Sequence, residues 1–162
     1  MNTKKAIYTG SFDPITNGHL DIIRRARDVF GTLRVLVIPN GTKNPLFTLA
    51  ERRALAEQAL FAEPGVTVAV AVGGLLADYL KECGYNVIVR GLRSAQDVPH
   101  EFTNAYYNQS FYPEAETVFF PARPEWMFVS SSAVREAVRY GADVSRWVPP
   151  CVVRALAKKC CN

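Results

Sequence analysis

The chain predicts an α/β protein built on a doubly wound, five-stranded parallel sheet, and three observations carry that expectation. Short runs rich in Val, Ile and Phe alternate with amphipathic stretches of helical length. The runs are apolar along their whole length rather than at every second residue, as strands covered on both faces must be. Each run is separated from the next by a helix, and right-handed crossovers then lay helices on both sides of one sheet. No internal repeat or low-complexity segment breaks the rhythm, so residues 1–162 read as a single domain, long enough to bury its own core.

The elements follow in order. Residues 5–9 (KAIYT) form the first strand. Residues 19–30 place Leu20, Ile23, Ala26 or Arg27, and Phe30 on one helical face, with Arg24, Arg25 and Asp28 outside, and Gly31 ends that helix. Residues 34–39 (RVLVIP) are the second strand. The next helix opens at Thr48, where Thr48-Leu-Ala-Glu51 is a capping box: hydroxyl and carboxylate each satisfy the other's orphan amide. Strands over 66–73, 86–90 and 117–121 alternate with helices over 75–83 and 97–111, and helices over 131–140 and 150–159 close the chain.

Composition narrows the function classes. Lys and Arg exceed Asp and Glu by 19 to 15, a net charge of +4. That surplus is too small to argue for a nucleic-acid binder and suits an anionic small molecule. The opening MNTKKAIYTG contains no secretory apolar region, and no run approaches the ~18 apolar residues of a membrane span, so a cytoplasmic protein with no membrane partner is expected. Cys83, Cys151, Cys160 and Cys161 form no CxxC pair. Adjacent Cys160 and Cys161 suit neither a disulfide nor a zinc site, and all four read as free thiols of a reducing compartment.

Open doubly wound sheets bind ligands at the carboxyl ends of their strands, near the topological switch point. Four of the five expected strand exits carry a cation or a hydroxyl cluster, which points to a polyanionic ligand. After the first strand come Gly10, read as a turn residue of positive φ, and Ser11, either a turn residue or a phosphate contact. His19 near a helix start is either a cap or a phosphate ligand; the helix dipole lowers its pKa, while a bound anion would favour the imidazolium. Lys43 follows the second strand. Arg90 and Arg93 flank a glycine and can reach one anion with bidentate geometry. Ser130, Ser131 and Ser132 offer an N-cap and a second phosphate site. Trp126 and Phe128 beside them suit a purine stack or the core, and the run Tyr106, Tyr107, Phe111, Tyr112 reads as helix packing rather than as a base-stacking platform.

These residues carry a resemblance. Gly10-Ser11-Phe12-Asp13-Pro14 with Thr16-Asn17-Gly18-His19 resembles the (T/H)xGH signature of the nucleotidyltransferase superfamily, and residues 129–135 (VSSSAVR) resemble its second, ISSS/T-type signature. Residues 43–48 (KNPLFT), Arg90-Gly91-Leu92-Arg93 with Asp97, and residues 125–128 (EWMF) are similar to those of the bacterial phosphopantetheine adenylyltransferases, over almost the whole chain. The resemblance implies a Rossmann-like nucleotidyltransferase fold and transfer of an adenylyl group from ATP to 4′-phosphopantetheine, giving dephospho-coenzyme A and pyrophosphate. It implies that Ser11, Phe12 and His19 contact ATP, as do Gly91, Leu92, Arg93 and Glu101, and Trp126, Met127, Phe128, Val129, Ser130, Ser131 and Ser132. It assigns Ser11, Lys43, Leu76 and Arg90 to the acceptor, and a homohexamer with coenzyme A as feedback ligand. Two departures stand out: Ser11 replaces a frequent Thr, and Asp97-Val-Pro-His-Glu101 replaces an aromatic–acidic run, with Pro99 able to shift the helix that carries Glu101.

The chemistry agrees with the motifs. A phosphate nucleophile is already anionic and needs no general base; it needs charge neutralisation and in-line placement. Lys43 would bridge the two repelling phosphates, and His19 and Arg93 would take up charge on the α-phosphate and the departing pyrophosphate. Mg²⁺ is expected to arrive with ATP, since no carboxylate cluster suggests a dedicated metal site. The rivals are a sister adenylyl- or cytidylyltransferase, which lacks Lys43 and the Arg90–Arg93 run, and a non-catalytic nucleotide or RNA binder, which would have lost these positions or gained a basic surface.

Overall fold

The computed structural model describes residues 5–39 and 44–160. Parallel strands β1 (Ala6–Gly10), β2 (Leu33–Val37), β3 (Val66–Val70), β4 (Val87–Leu92) and β5 (Glu116–Pro121) form one sheet in the order β3-β2-β1-β4-β5. The helices are α1 (Asn17–Phe30), α2 (Leu49–Ala59), α3 (Leu76–Cys83), α4 (Asp97–Phe111), α5 (Ser131–Arg139) and α6 (Pro150–Cys160), with one 3₁₀ turn at Pro124–Trp126. The chain winds outward from β1 through β2 and β3, then restarts on the other side with β4 and β5. The switch point therefore falls between β1 and β4, which pair from Ala6↔Val87 to Tyr8↔Val89.

The two-residue period of a strand sorts the core onto two faces. Tyr8, Val35, Val37, Val87 and Val89 join Leu20, Ile23 and Ala26 of α1, Leu55 and Ala56 of α2, and Val152 and Leu156 of α6. Ile7, Leu36 and Ile88 face the other way, against Leu80 of α3 and Ala115. Each fully buried aliphatic chain contributes ~1.5–3 kcal/mol, so the expected strands are set by burial on both sides. The Thr48–Glu51 capping box is present, with Glu51 N–H donating to Thr48 Oγ1 at 3.2 Å and Thr48 N–H donating to Glu51 Oε2 at 2.7 Å.

Several expectations are corrected. Helix α1 starts at Asn17 rather than His19, because Thr16 is its N-cap and the Asn17-Gly18 pair, turn-like in sequence, fills its first two positions. Ala26, not Arg27, faces the core, and Ile22 and Asp21 are buried with it. Strand β3 stops at Val70; past Ala71, which donates to Val37 O at 3.0 Å, it has no further backbone partner among the described residues. Gly10 is not a turn residue: it closes β1, and a Cβ there would lie 3.0 Å from the Phe12 ring. The positive φ falls instead on Phe12, at 45°. Pro99 leaves α4 at its expected bounds, because it occupies the first turn, where a backbone N–H has no helical acceptor to lose. The aromatic run of α4 is not internal packing. Tyr106, Tyr107 and Phe111 are exposed, with Phe102 beside them, and only Tyr112 packs inward.

Candidate functional site

Two connected chambers open at the carboxyl edge above β1 and β4. The first, about 260 Å³, is bounded by the β1 exit, the start of α1, the end of β4 and residues 129–132. The second, about 590 Å³, lies over the exits of β1, β2 and β4 and reaches Leu76 of α3 and Asn104 of α4. They share Thr9, Gly10, Ser11, Arg90, Arg93 and Glu101.

His19 stands on the third residue of α1, and its cap sets its chemistry. Thr16 N–H donates to His19 Nδ1 at 3.0 Å, and His19 N–H donates to Thr16 Oγ1 at 3.3 Å. A backbone N–H can only donate, so Nδ1 must be the acceptor, and the ring proton of the neutral imidazole sits on Nε2. Burial, then the Arg93 and Arg90 guanidinium groups, lower the His19 pKa to about 4. The ring therefore presents a neutral N–H donor. Phe12 wedges edge-on between it and Tyr8, with ring centroids 5.1 Å from His19 and 5.5 Å from Tyr8. Burial pushes the Tyr8 hydroxyl up to about 12, against the pull of Arg90, so it too remains a donor.

The two arginines enter the chambers already paired. Arg90 Nε and Nη2 donate to both oxygens of Glu101 at 2.6 and 2.7 Å, and its Nη1 donates to Thr9 O at 2.7 Å. Arg93 donates through its main chain and its guanidinium to Asp97, at 2.9, 3.3 and 3.2 Å. The fork of Arg90 thus faces Glu101, and an incoming anion meets only its remaining N–H groups. This corrects the simple picture of two free guanidinium groups flanking Gly91. Glu101, read as an ATP contact, is buried and fully engaged by Arg90. Gly91 itself allows close packing: a Cβ there would lie 3.4 Å from Ile22 Cγ1.

The far wall is the start of α5. Ser130 caps it, accepting from Ala133 N–H at 3.0 Å. Ser131 Oγ donates to Pro14 O at 2.8 Å, and Ser132 Oγ accepts from Arg135 at 3.2 Å. The cap leaves the first backbone amides of α5 without helical acceptors, a ready anion site. Trp126 and Val129 complete the wall.

Not every expected residue converges. Lys43 lies outside the described residues, as do Cys161 and the side chain of Cys160. Leu76 borders the second chamber only. Leu92, half-buried at the end of β4, lines neither chamber. Met127 and Phe128 are exposed, and Phe128 packs against Trp147 at 5.8 Å, so neither is core. Arg123 at the β5 exit turns away to Asp21, at 3.2 Å. It lines a larger and more open cleft between α1, α2 and α6, whose Arg24 is likewise tied, to Glu63 at 2.6 Å. The cleft's Arg24 and Arg123 are thus both held by carboxylates, so size does not make it the site.

Residues given no site role from the sequence hold the chambers together. Asp13 is buried and accepts from Leu46 and Phe47 N–H, both at 2.9 Å, while Arg135 donates to the Asp13 carbonyl. Arg52 lies buried beneath Ser11. Tyr8 and Thr9 stay hidden in the sequence because a buried polar residue in an apolar run reads as strand. Among the described residues no group of three His, Cys, Asp or Glu side chains is placed to hold a metal ion, and no helix is long and apolar enough to cross a membrane.

A doubly wound sheet with an anion crevice at its switch point, a helix-capping histidine and a Ser-capped second helix defines a nucleotidyltransferase, and the cytidylyltransferase-like family profile matches residues 7–137. The chain is 51% identical over 154 residues to the phosphopantetheine adenylyltransferase of Thermotoga neapolitana, covering 95% of each chain. It is 45% identical over 157 residues to that of Alkaliphilus metalliredigens, covering 96% of this chain and 99% of the other. With the enzyme of Alkalilimnicola ehrlichii it shares 46% identity over 156 residues, 95% of this chain and 89% of the other. The chain belongs to the phosphopantetheine adenylyltransferase family.

Proposed function

We propose that the two chambers are the adenylyl-transfer site, ATP lying between His19 and the start of α5, and the acceptor phosphate over Arg90 with its pantetheine arm toward Leu76. Membership of the family fixes the reaction: the adenylyl group of ATP passes to 4′-phosphopantetheine, giving dephospho-coenzyme A and pyrophosphate, the penultimate step of coenzyme A biosynthesis. The observation that carries the siting is the Thr16–His19 box, which aims an Nε2–H donor from a helix start.

An acceptor phosphate oxygen attacks the α-phosphorus, and the bond to the β,γ-diphosphate breaks with its electron pair leaving on pyrophosphate. His19 Nε2–H donates to the α-phosphate oxygen on which charge grows, a contribution of ~10²-fold or more in turnover for a preorganised donor. Arg93 and the α5 amides meet the charge moving to pyrophosphate, and Ser11 orients both substrates. Lys43 bridges the acceptor and α-phosphates. Trp126, with Met127 and Phe128 following, supplies apolar surface for the base; Gly91 lines its approach, and Glu101 acts through Arg90 on the acceptor phosphate. Mg²⁺ would arrive on the ATP phosphates, since Glu101, which lines both chambers, and Asp97 are each held by an arginine.

The reading places the enzyme in the cytoplasm. It also assigns a homohexamer, supported by the exposed Phe102, Tyr106, Tyr107 and Phe111 on α4, an apolar face a monomer leaves wet. Coenzyme A carries the chemical parts of both substrates and would fill both chambers, which supports it as a feedback ligand. Mixing the purified chain with ATP, Mg²⁺ and 4′-phosphopantetheine tests the reading: pyrophosphate release is expected. Release with nicotinamide mononucleotide or glycerol phosphate instead would move the assignment to a sister family. Sedimentation should give six copies, and a monomer would refute the assembly.

A further inference from the structure

Arg52 stands on α2, outside both chambers, and is only 3% exposed. Its Nη1 donates to Ser11 O at 2.9 Å and to Ile38 O at 3.2 Å. The β1–β2 ladder ends immediately before these carbonyls, with Gly10 opposite Val37 and Ile38 N–H donating to Gly10 O at 2.9 Å. One side chain thus ties the two strand exits together at the point where backbone pairing stops. Ser11 lines both chambers and Ile38 lines the second.

Two features set this arginine apart. Among the described residues no carboxylate lies within ion-pair distance of it, whereas Arg90 and Arg93 each have one. Among the described residues its buried Nε has no hydrogen-bond partner. Asp13, the buried carboxylate of the adjoining loop, is committed to Leu46, Phe47 and Arg135. Burying a cation with carbonyl contacts alone is costly, and an apolar side chain of equal volume would suit the fold as well or better. An arginine does not shed its charge to escape that cost.

We propose that Arg52 is a positioning residue for adenylyl transfer. It locks Ser11 against the β2 exit, and it keeps a buried positive charge whose counter-charge is the phosphates of the bound substrates. This inference rests on ATP occupying the crevice above Ser11.

The test compares the full chain with Arg52→Met and Arg52→Lys by three readouts: calorimetric titration with MgATP, unfolding without ligand, and steady-state pyrophosphate release. Arg52→Met should bind MgATP about tenfold more weakly, the order expected when one buried unit charge near a polyanion is removed at an effective dielectric of about 20. Its ligand-free unfolding midpoint should equal or exceed that of the unaltered chain. Arg52→Lys keeps the charge but cannot bridge two carbonyls from a planar fork, so it should retain MgATP affinity within about threefold yet lose about tenfold or more in kcat. Unchanged MgATP binding in Arg52→Met overturns the proposal, as does a weakening matched by a fallen ligand-free midpoint. If Arg52→Met does not fold, Arg52→Lys decides: turnover equal to that of the unaltered chain overturns the role. Failure of the unaltered chain to bind MgATP sinks the reading of the crevice itself, and this inference with it.

Discussion

Replacing His19 by asparagine separates two jobs that one imidazole performs. Asn Oδ1 occupies the position of His Nδ1 relative to Cβ, so it can still accept from Thr16 N–H, a bond of 3.0 Å at a residue that is 1% exposed. Alanine removes that acceptor, and an orphaned buried N–H costs ~1–3 kcal/mol, in line with the ~1 kcal/mol of a lost helix cap. Asparagine should therefore unfold within ~0.5 kcal/mol of the unaltered chain, while alanine unfolds ~1–2 kcal/mol more easily. Neither variant carries a donor where Nε2–H stood. Both should lose ~10²–10³-fold in kcat, the usual loss for one preorganised donor to a developing oxyanion. Urea unfolding read by linear extrapolation gives the first quantity, and continuous pyrophosphate release gives the second. Turnover of His19→Asn within about threefold of the parent would refute the donor role. Equal destabilisation by Asn and Ala would refute the assignment of Nδ1 as the capped acceptor.

Three further outcomes follow from the same geometry. His19 is held near 4, below its usual 6.5, so the folded state binds fewer protons between those values, and its contribution to stability is present above pH 6.5 and fades as pH falls toward 4. Near-equal at pH 7.5, the parent and His19→Asn should diverge as pH falls to 4, the parent losing ~2–3 kcal/mol relative to the variant so that the variant becomes the more stable, and a difference that stays flat refutes the low pKa. Glu101→Gln leaves the Arg90 guanidinium without its counter-charge; the variant should lose ~2–4 kcal/mol and raise KM for the acceptor more than for ATP, and parent-like unfolding would sink the pairing argument. Gly10→Ala drives a methyl into the Phe12 ring at 3.0 Å and should cost ~1–3 kcal/mol, largely restored in a Phe12→Leu background; failure of that rescue refutes the clash as the cause.

Much of the architecture was legible because it depends on local pattern. Runs such as VLVI between helical stretches can be buried only in a parallel sheet, and the bounds of α4 and the Thr48–Glu51 cap follow from residues within one turn of each other. The crevice was legible in outline because Ser11, His19, Arg90, Arg93 and the Ser130 run all sit at strand exits. What stayed hidden depends on contacts made far along the chain. Arg52 occupies a helix position that reads as solvent-facing, and only the approach of Ser11 and Ile38 buries it. Glu101 reads as an ATP contact until the fold sets it against Arg90, as it sets Asp97 against Arg93. Tyr106 and Tyr107 carry the same apolar signal whether they face a core or the outside. Gly10 shows why glycine is ambiguous in sequence: its need arises from a neighbouring ring, not from its own φ.

The closure of the crevice by Ser131 on Pro14 and by Arg135 on Asp13 spans 117 and 122 residues of sequence. Protein synthesis therefore delivers the last wall of the site only after the whole sheet has left the ribosome. A nascent chain ending before α5 would own a folded platform and half an anion site, with the Asp13 loop lacking its clamp. Such a fragment would lack the α5 wall of the proposed ATP site. Catalytic competence is thus reserved for molecules whose two ends have met, which makes turnover itself a report on completed folding.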